Sequence, residues 1–232
     1  MKFYKSITIF FILFSLFAKS QHSELGILAG SSYYMGEINP SIHVINKVRP
    51  ALGVFYRKNL SKRYALRFGA NYAMLSATDQ FVSTELSQFR QLSFSTNLWE
   101  GYGIIEFNFI PYQINNYATS SFTPYVFIGV AGFWVRPNVD GGGNRELAKT
   151  DVIAPSIPFG LGLKFNFARN LGLGIEWGMR KTFTDQIDGL SETYVNGYQL
   201  SNTQNNDWYS IIGITLNYKI LTKSDHCPGV IN

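Results

Sequence analysis

The chain has 232 residues, 46% of them hydrophobic, 16% aromatic and only 15% charged, with a formal net charge of +5. Lys2, Lys5 and Lys19 belong to a leader expected to be removed, which leaves about +2 on the mature chain. That charge excludes the basic footprint of a nucleic-acid binder, which crowds Lys and Arg onto one face, and about 210 mature residues suit one all-β domain.

The leader is "MKFYKSITIFFILFSLFAKS". A positive start at Lys2 and Lys5, an apolar core from Ile7 to Phe17 and a small-residue cut at Ala18-Lys19-Ser20 predict a signal peptide over residues 1–20. The apolar core is too short to anchor the chain, since a spanning helix needs about 20 apolar residues. No later stretch approaches that length, yet aromatic residues are abundant. An exported chain with that combination reads as a β-barrel whose strands alternate, so hydropathy averages out. Residues 21–221 are assigned to the barrel and 222–232 to a periplasmic tail.

Eight alternating segments follow in order, over residues 24–34, 51–58, 64–75, 96–109, 124–136, 157–167, 171–183 and 208–221. Successive side chains of a strand point to opposite faces, so each segment has two sides. One side carries Phe68, Trp99, Leu161, Phe165, Trp177 and Trp208, which are expected to face lipid. The other carries Arg57, Arg67, Glu100, Glu106, Lys164, Glu176, Arg180 and Lys219, with Glu24 near the rim. The fifth segment, "PYVFIGVAGFWVR", is apolar on both sides, and its faces are left open.

Opposed charges on one side of a sheet cannot sit unpaired in a dry interior. An eight-stranded barrel has an interior that side chains just fill. These charges are therefore expected to pair in a polar, plugged lumen that conducts no solute, while glycines on the same side relieve crowding. A lipocalin-like barrel would instead put aliphatic residues inside around a ligand and polar ones outside. The fold expected is all-β, an eight-stranded antiparallel transmembrane barrel. Connections 59–63 and 168–170 are tight, while those near 35–50, 76–95, 137–156 and 185–207 are long and polar, the habit of periplasmic turns and outer loops. Residues 110–123 form a longer turn on the nominally periplasmic side.

Catalytic readings find little support. His22, His43 and His226 do not converge on any strand face, and no strand offers a His–Ser–carboxylate set. Glu176 with Arg180 could be an acid–base pair, although structural ion pairing suits them better. Asp185 and Asp188 in "TDQIDGL" are too few carboxylates for a calcium site, and Asp-Gly is an ordinary turn signal. Gly141–Gly143 is followed by no helix and cradles no phosphate. No catalytic residue, metal, cofactor or small-molecule substrate is expected. Cys227, the sole cysteine, lies in the tail "TKSDHCPGVIN" beside Lys223 and His226, which favour a thiolate. It is a candidate for an intermolecular disulfide or partner contact, or else an inert tail residue.

The stretch "GIEWGMRKTFTDQIDGLSETY", Gly174 to Tyr194, with Glu176, Gly178, Arg180, Thr182 to Asp185 and Asp188, resembles the signature of PorG-type outer-membrane barrels. The mature start "SELGILAGSSYYMGEINP" is similar to them as well. The resemblance implies a non-enzymatic, structural part of the type IX protein secretion system, which in some bacteria supports gliding motility. It further implies outer-membrane lipid around the barrel and a periplasmic ring of PorK and PorN type as partners. Two alternatives stand beside it: a generic small barrel with binding or adhesive outer loops, and an outer-membrane lipid-modifying enzyme.

Overall fold

A computed structural model describes residues 23–35, 48–78, 93–112, 122–140, 151–168, 170–184, 187 and 207–220. The expected signal peptide and tail, with His22, His43, His226, Cys227, Asp185, Asp188 and Gly141–Gly143, lie outside the described residues.

Every alternating segment forms a strand. In chain order these are β1 (Ser23–Met35), β2 (Arg49–Asn59), β3 (Tyr64–Thr78) and β4 (Ser93–Asn108). They continue as β5 (Phe122–Asp140), β6 (Val152–Asn166), β7 (Leu171–Thr182) and β8 (Trp208–Ile220). Each strand pairs antiparallel with its sequence neighbours, and β1 pairs with β8 from Ser23↔Ile220 to Met35↔Trp208, which closes the barrel. Closure leaves no edge strand exposed. Ser23 and Ile220 therefore stand together at the end that carries the tight turns.

Those turns are built locally. Leu60 N–H donates to Tyr64 O at 2.9 Å, and Ser61 Oγ accepts from the N–H of Tyr64 at 3.0 Å. Ala168 N–H donates to Leu171 O at 3.3 Å across the second tight turn.

β1 to β6 extend further toward the long connections than alternation alone predicts, most of all β5 and β6. Pro155 and Pro158 lie within β6 although proline has no N–H for the ladder. In the barrel their cost is local. The β5–β6 pairing passes from Ile128↔Phe159 directly to Ala131↔Ser156, skipping the rungs where Pro158 sits, and then resumes.

β5 also resolves its faces. Tyr125, Phe127, Ala131, Phe133 and Val135 are buried inside, while Val126, Ile128, Val130 and Trp134 are exposed outside. Both faces are apolar because the interior itself has two zones. Toward the long connections it is an apolar core of Leu28, Tyr34, Leu75, Leu98, Phe133, Val135, Tyr209 and Ile211. Toward the tight turns it is polar and charged.

Glycine makes room where large side chains turn inward. A Cβ at Gly26 would stand 2.2 Å from Cζ of Phe55, so the β2 ring occupies the space that β1 leaves empty.

Candidate functional site

The polar zone of the lumen is a ladder of ion pairs, each carboxylate held by more than one donor. At the tight-turn end Glu24 accepts from Arg57 at 2.8 Å, Asn59 at 2.9 Å and Asn217 at 2.5 Å. Arg57 Nε also reaches Glu106 at 2.9 Å. Glu106 is the hub, because Arg67 Nε lies at 3.0 Å and Lys164 Nζ at 2.5 Å from it as well. Arg67 then spans to Glu176 at 2.6 Å, and the Tyr125 hydroxyl donates to Glu176 at 2.7 Å.

A second tier stands nearer the long connections. There Glu100 accepts from Arg180 at 3.2 Å, from Asn71 at 2.6 Å and from the Tyr209 hydroxyl at 2.5 Å. All eight of these charged side chains are buried. Arg67 meets its two carboxylates at ion-pair distance without an aligned hydrogen bond, so Coulombic attraction holds its guanidinium in place.

The arginines are clamped by rings as well as by carboxylates. The Arg67 guanidinium lies 5.1 Å from the Phe55 ring, 5.4 Å from Phe127 and 5.7 Å from Tyr102. Lys164 Nζ lies 4.3 Å from the Tyr125 ring. Cation–π contact of this kind is strongest where water is excluded. The rings fill the space between the charge tiers, so the lumen is packed.

Each end of the lumen holds a buried connection residue that alternation does not reveal. Tyr112, from the turn after β4, is buried at the tight-turn end. Its N–H donates to Lys62 O at 2.8 Å, and its hydroxyl donates to Asn166 Oδ1. Burial pushes the Tyr112 phenol well up from its ordinary range, so it remains a neutral donor. At the other end Asp207 accepts from the Ile187 N–H at 3.0 Å and from the Tyr34 hydroxyl, which draws Ile187 into the apolar core.

The structure thus brings Arg57, Arg67, Glu100, Glu106, Lys164, Glu176 and Arg180 into the lumen. Lys219 is also buried, but it stands beside the ladder, with Nζ donating to Ala168 O at 3.4 Å. Glu176 and Arg180 do not form the acid–base pair weighed from the sequence. Glu176 bonds Arg67 and Arg180 bonds Glu100, because residues four apart on a strand sit two rungs apart on one face. Tyr125, Tyr209 and Tyr112 were missed since a hydropathy count scores tyrosine as apolar. Asn71, Asn108 and Asn217 share strand parity with the charged residues and are buried beside them.

Phe68, Trp99 and Leu161 are exposed on the outer wall, and Phe165, Trp177 and Trp208 are half-buried there. The ring hydroxyl of Tyr33 accepts from Trp177 Nε1 at 3.0 Å. Among the described residues no three His, Cys, Asp or Glu side chains are placed to hold a metal.

In comparisons with known proteins, a family described as a domain of unknown function (DUF6089) matches residues 3–229. No curated protein sequence matches. Among solved structures, Ail, the attachment invasion locus protein of Yersinia pestis, is similar at 11% identity and a TM-score of 0.47, over 87% of this chain and 99% of its own. The N-terminal β-barrel domain of Pseudomonas aeruginosa OprF is similar at 13% identity and 0.44, over 85% and 97%. Neisserial surface protein A is similar at 9% identity and 0.41, over 87% and 98%. A likeness of this degree says nothing about role.

Proposed function

The chain belongs to the DUF6089 family, and we propose that it is an outer-membrane barrel serving as a structural anchor of the type IX protein secretion machinery. The observation that carries the membrane placement is the outer wall. Val130 is 70% exposed, Ile128 and Val54 60%, and Phe68, Ile27 and Ile214 54%. Burying an aliphatic or aromatic side chain of this size is worth about 1.5–3 kcal/mol. Soluble monomers rarely expose contiguous apolar patches beyond a few hundred Å². A wall built this way is satisfied by hydrocarbon, with the polar side chains turned inward.

Aromatic residues band both rims of that wall. Tyr72, Trp99, Trp134, Trp177 and Trp208 lie toward the long connections, and Tyr56, Tyr64, Phe165 and Tyr218 toward the tight turns. Girdles of this kind mark the two interfaces of a bilayer. The side chains in the lumen argue for an anchor over a conduit: Glu106 alone is bound by three cations, and Tyr112 and Ile187 are buried toward the two ends.

The type IX assignment is supported by the resemblance at Gly174–Tyr194 and Ser23–Pro40. On this reading the tight turns and tail face the periplasm and grip a ring of PorK and PorN type, helping to hold it to the outer membrane. Gliding motility would follow in organisms that couple it to this system.

The test is co-purification from mildly crosslinked membranes. Periplasmic ring proteins are expected to accompany the barrel, and to be lost when residues 222–232 are removed or, under oxidising conditions, with Cys227→Ser. If the tail is dispensable while deletions within the 185–207 loop abolish function, the binding-loop reading replaces the anchor. Lipid hydrolysis or acyl transfer by the purified barrel would replace both.

A further inference from the structure

We infer that the outer wall at the tight-turn end holds a phospholipid, with one acyl chain in an apolar groove across β8, β1, β2 and β3 and its phosphate at Lys58 and the turn that follows. The inference rests on the membrane placement. The groove has a volume of about 600 Å³, within the range of ligand sites at roughly 300–1,000 Å³. Its sides are Leu25, Ile27, Phe68 and Leu216, and Val54 and Ala70 share its lining.

The ladder register explains why the wall dips there. Leu216, Ile27, Val54 and Ala70 lie on one inter-strand row, which runs on to Gly101 and Gly132. Side chains shrink along this row. A Cβ added at Gly101 or Gly132 meets nothing within 4 Å, so the row continues as an open trough across β4 and β5. The rows on either side carry larger groups, Phe68 and Tyr56 on one and Tyr72, Trp99 and Trp134 on the other. The row itself carries no polar side chain, and the Tyr56 and Tyr218 rings that also line the groove stand on the side of the tight-turn rim, an arrangement that fits a methylene chain below a headgroup.

The charge at its mouth selects the headgroup. Lys58 shares the outward side of β2 with Tyr56 and stands one step nearer the rim. Lys62 and Arg63 follow in the exposed turn. Glu24, the first carboxylate of β1, points into the lumen and is held there by Arg57. A cationic rim above an apolar groove is complementary to an anionic phosphate above an acyl chain.

Native mass spectrometry of the full chain, purified from membranes in mild detergent, tests this. Wild-type protein is expected to carry a phospholipid adduct that Lys58→Glu and Ala70→Phe both lose. Ile175→Phe, on the outer wall away from the groove, keeps it. Added palmitoyl-oleoyl phosphatidylglycerol should restore the adduct to delipidated wild-type protein, and the corresponding diacylglycerol should not. Heat-modifiable migration on gels confirms that each variant is folded. Retention of the adduct by both groove variants overturns the inference, as does its absence from membrane-integrated wild-type protein. Recovery of wild-type protein in the soluble fraction overturns the membrane placement and the lipid site together.

Discussion

Arg57 and Arg67 are direct partners across the β2–β3 ladder, an arrangement of like charges that is destabilising by itself. Glu106 resolves it from the neighbouring strand β4, reaching both guanidinium groups and Lys164 within 3.0 Å. Removing its charge leaves three buried cations short of their shared counter-ion. Breaking a buried pair costs about 3–5 kcal/mol because the surviving charge is uncompensated. Glu106→Gln is expected to lower stability by that amount in urea unfolding followed by gel mobility. A loss below about 1 kcal/mol, the size of an exposed pair, would mean that the lumen is wet and the ladder incidental. The charged members of this ladder were legible because strand parity alone places Arg57, Arg67, Glu106, Lys164 and Glu176 on one side. Which carboxylate meets which cation was not legible. Pairing runs between strands, and register across a barrel is set by turns and closure. Glu176 and Arg180 show the difference, as neighbours in sequence that serve separate tiers.

At the scale of the strand, the seam between β1 and β8 is what makes the sheet a barrel. Gly30 and Gly213 face each other there, and a Cβ on Gly30 would stand 2.0 Å from the carbonyl oxygen of Ile212. The obstacle is backbone, which cannot swing aside as a side chain can. Gly30→Val is expected to cost about 1–3 kcal/mol, the range for overpacking, and to slow assembly, measured as the yield of heat-modifiable folded protein. Unchanged yield and stability would contradict the closed seam. β5 was found as an apolar run between turns, and alternation located the other seven strands because each keeps a period of two. It misjudged the ends of β5 and β6, where prolines and apolar residues on both faces hide the period. β5 could not be faced from sequence for the same physical reason. Its inner side packs Phe133 against Tyr209, ring centroids 5.8 Å apart, so it is as apolar as its outer side.

For the whole molecule, closure was expected from an even number of strands whose connections alternate in length apart from the longer turn at 110–123. The two plugs could not be foreseen. Tyr112 and Ile187 belong to connections, and only tertiary contact with Lys62, Asn166 and Asp207 turns them into stoppers. The anchor role and the lipid site both require the outer wall to meet hydrocarbon. All four tryptophans of the chain, Trp99, Trp134, Trp177 and Trp208, stand on that wall, so the entire indole signal reports on it. Fluorescence quenching in reconstituted liposomes is therefore the direct measurement, using lipids brominated on their acyl chains against iodide in the water. Strong quenching by the brominated lipids and little by iodide is the expected result. Quenching by iodide with indifference to the brominated chains would contradict it.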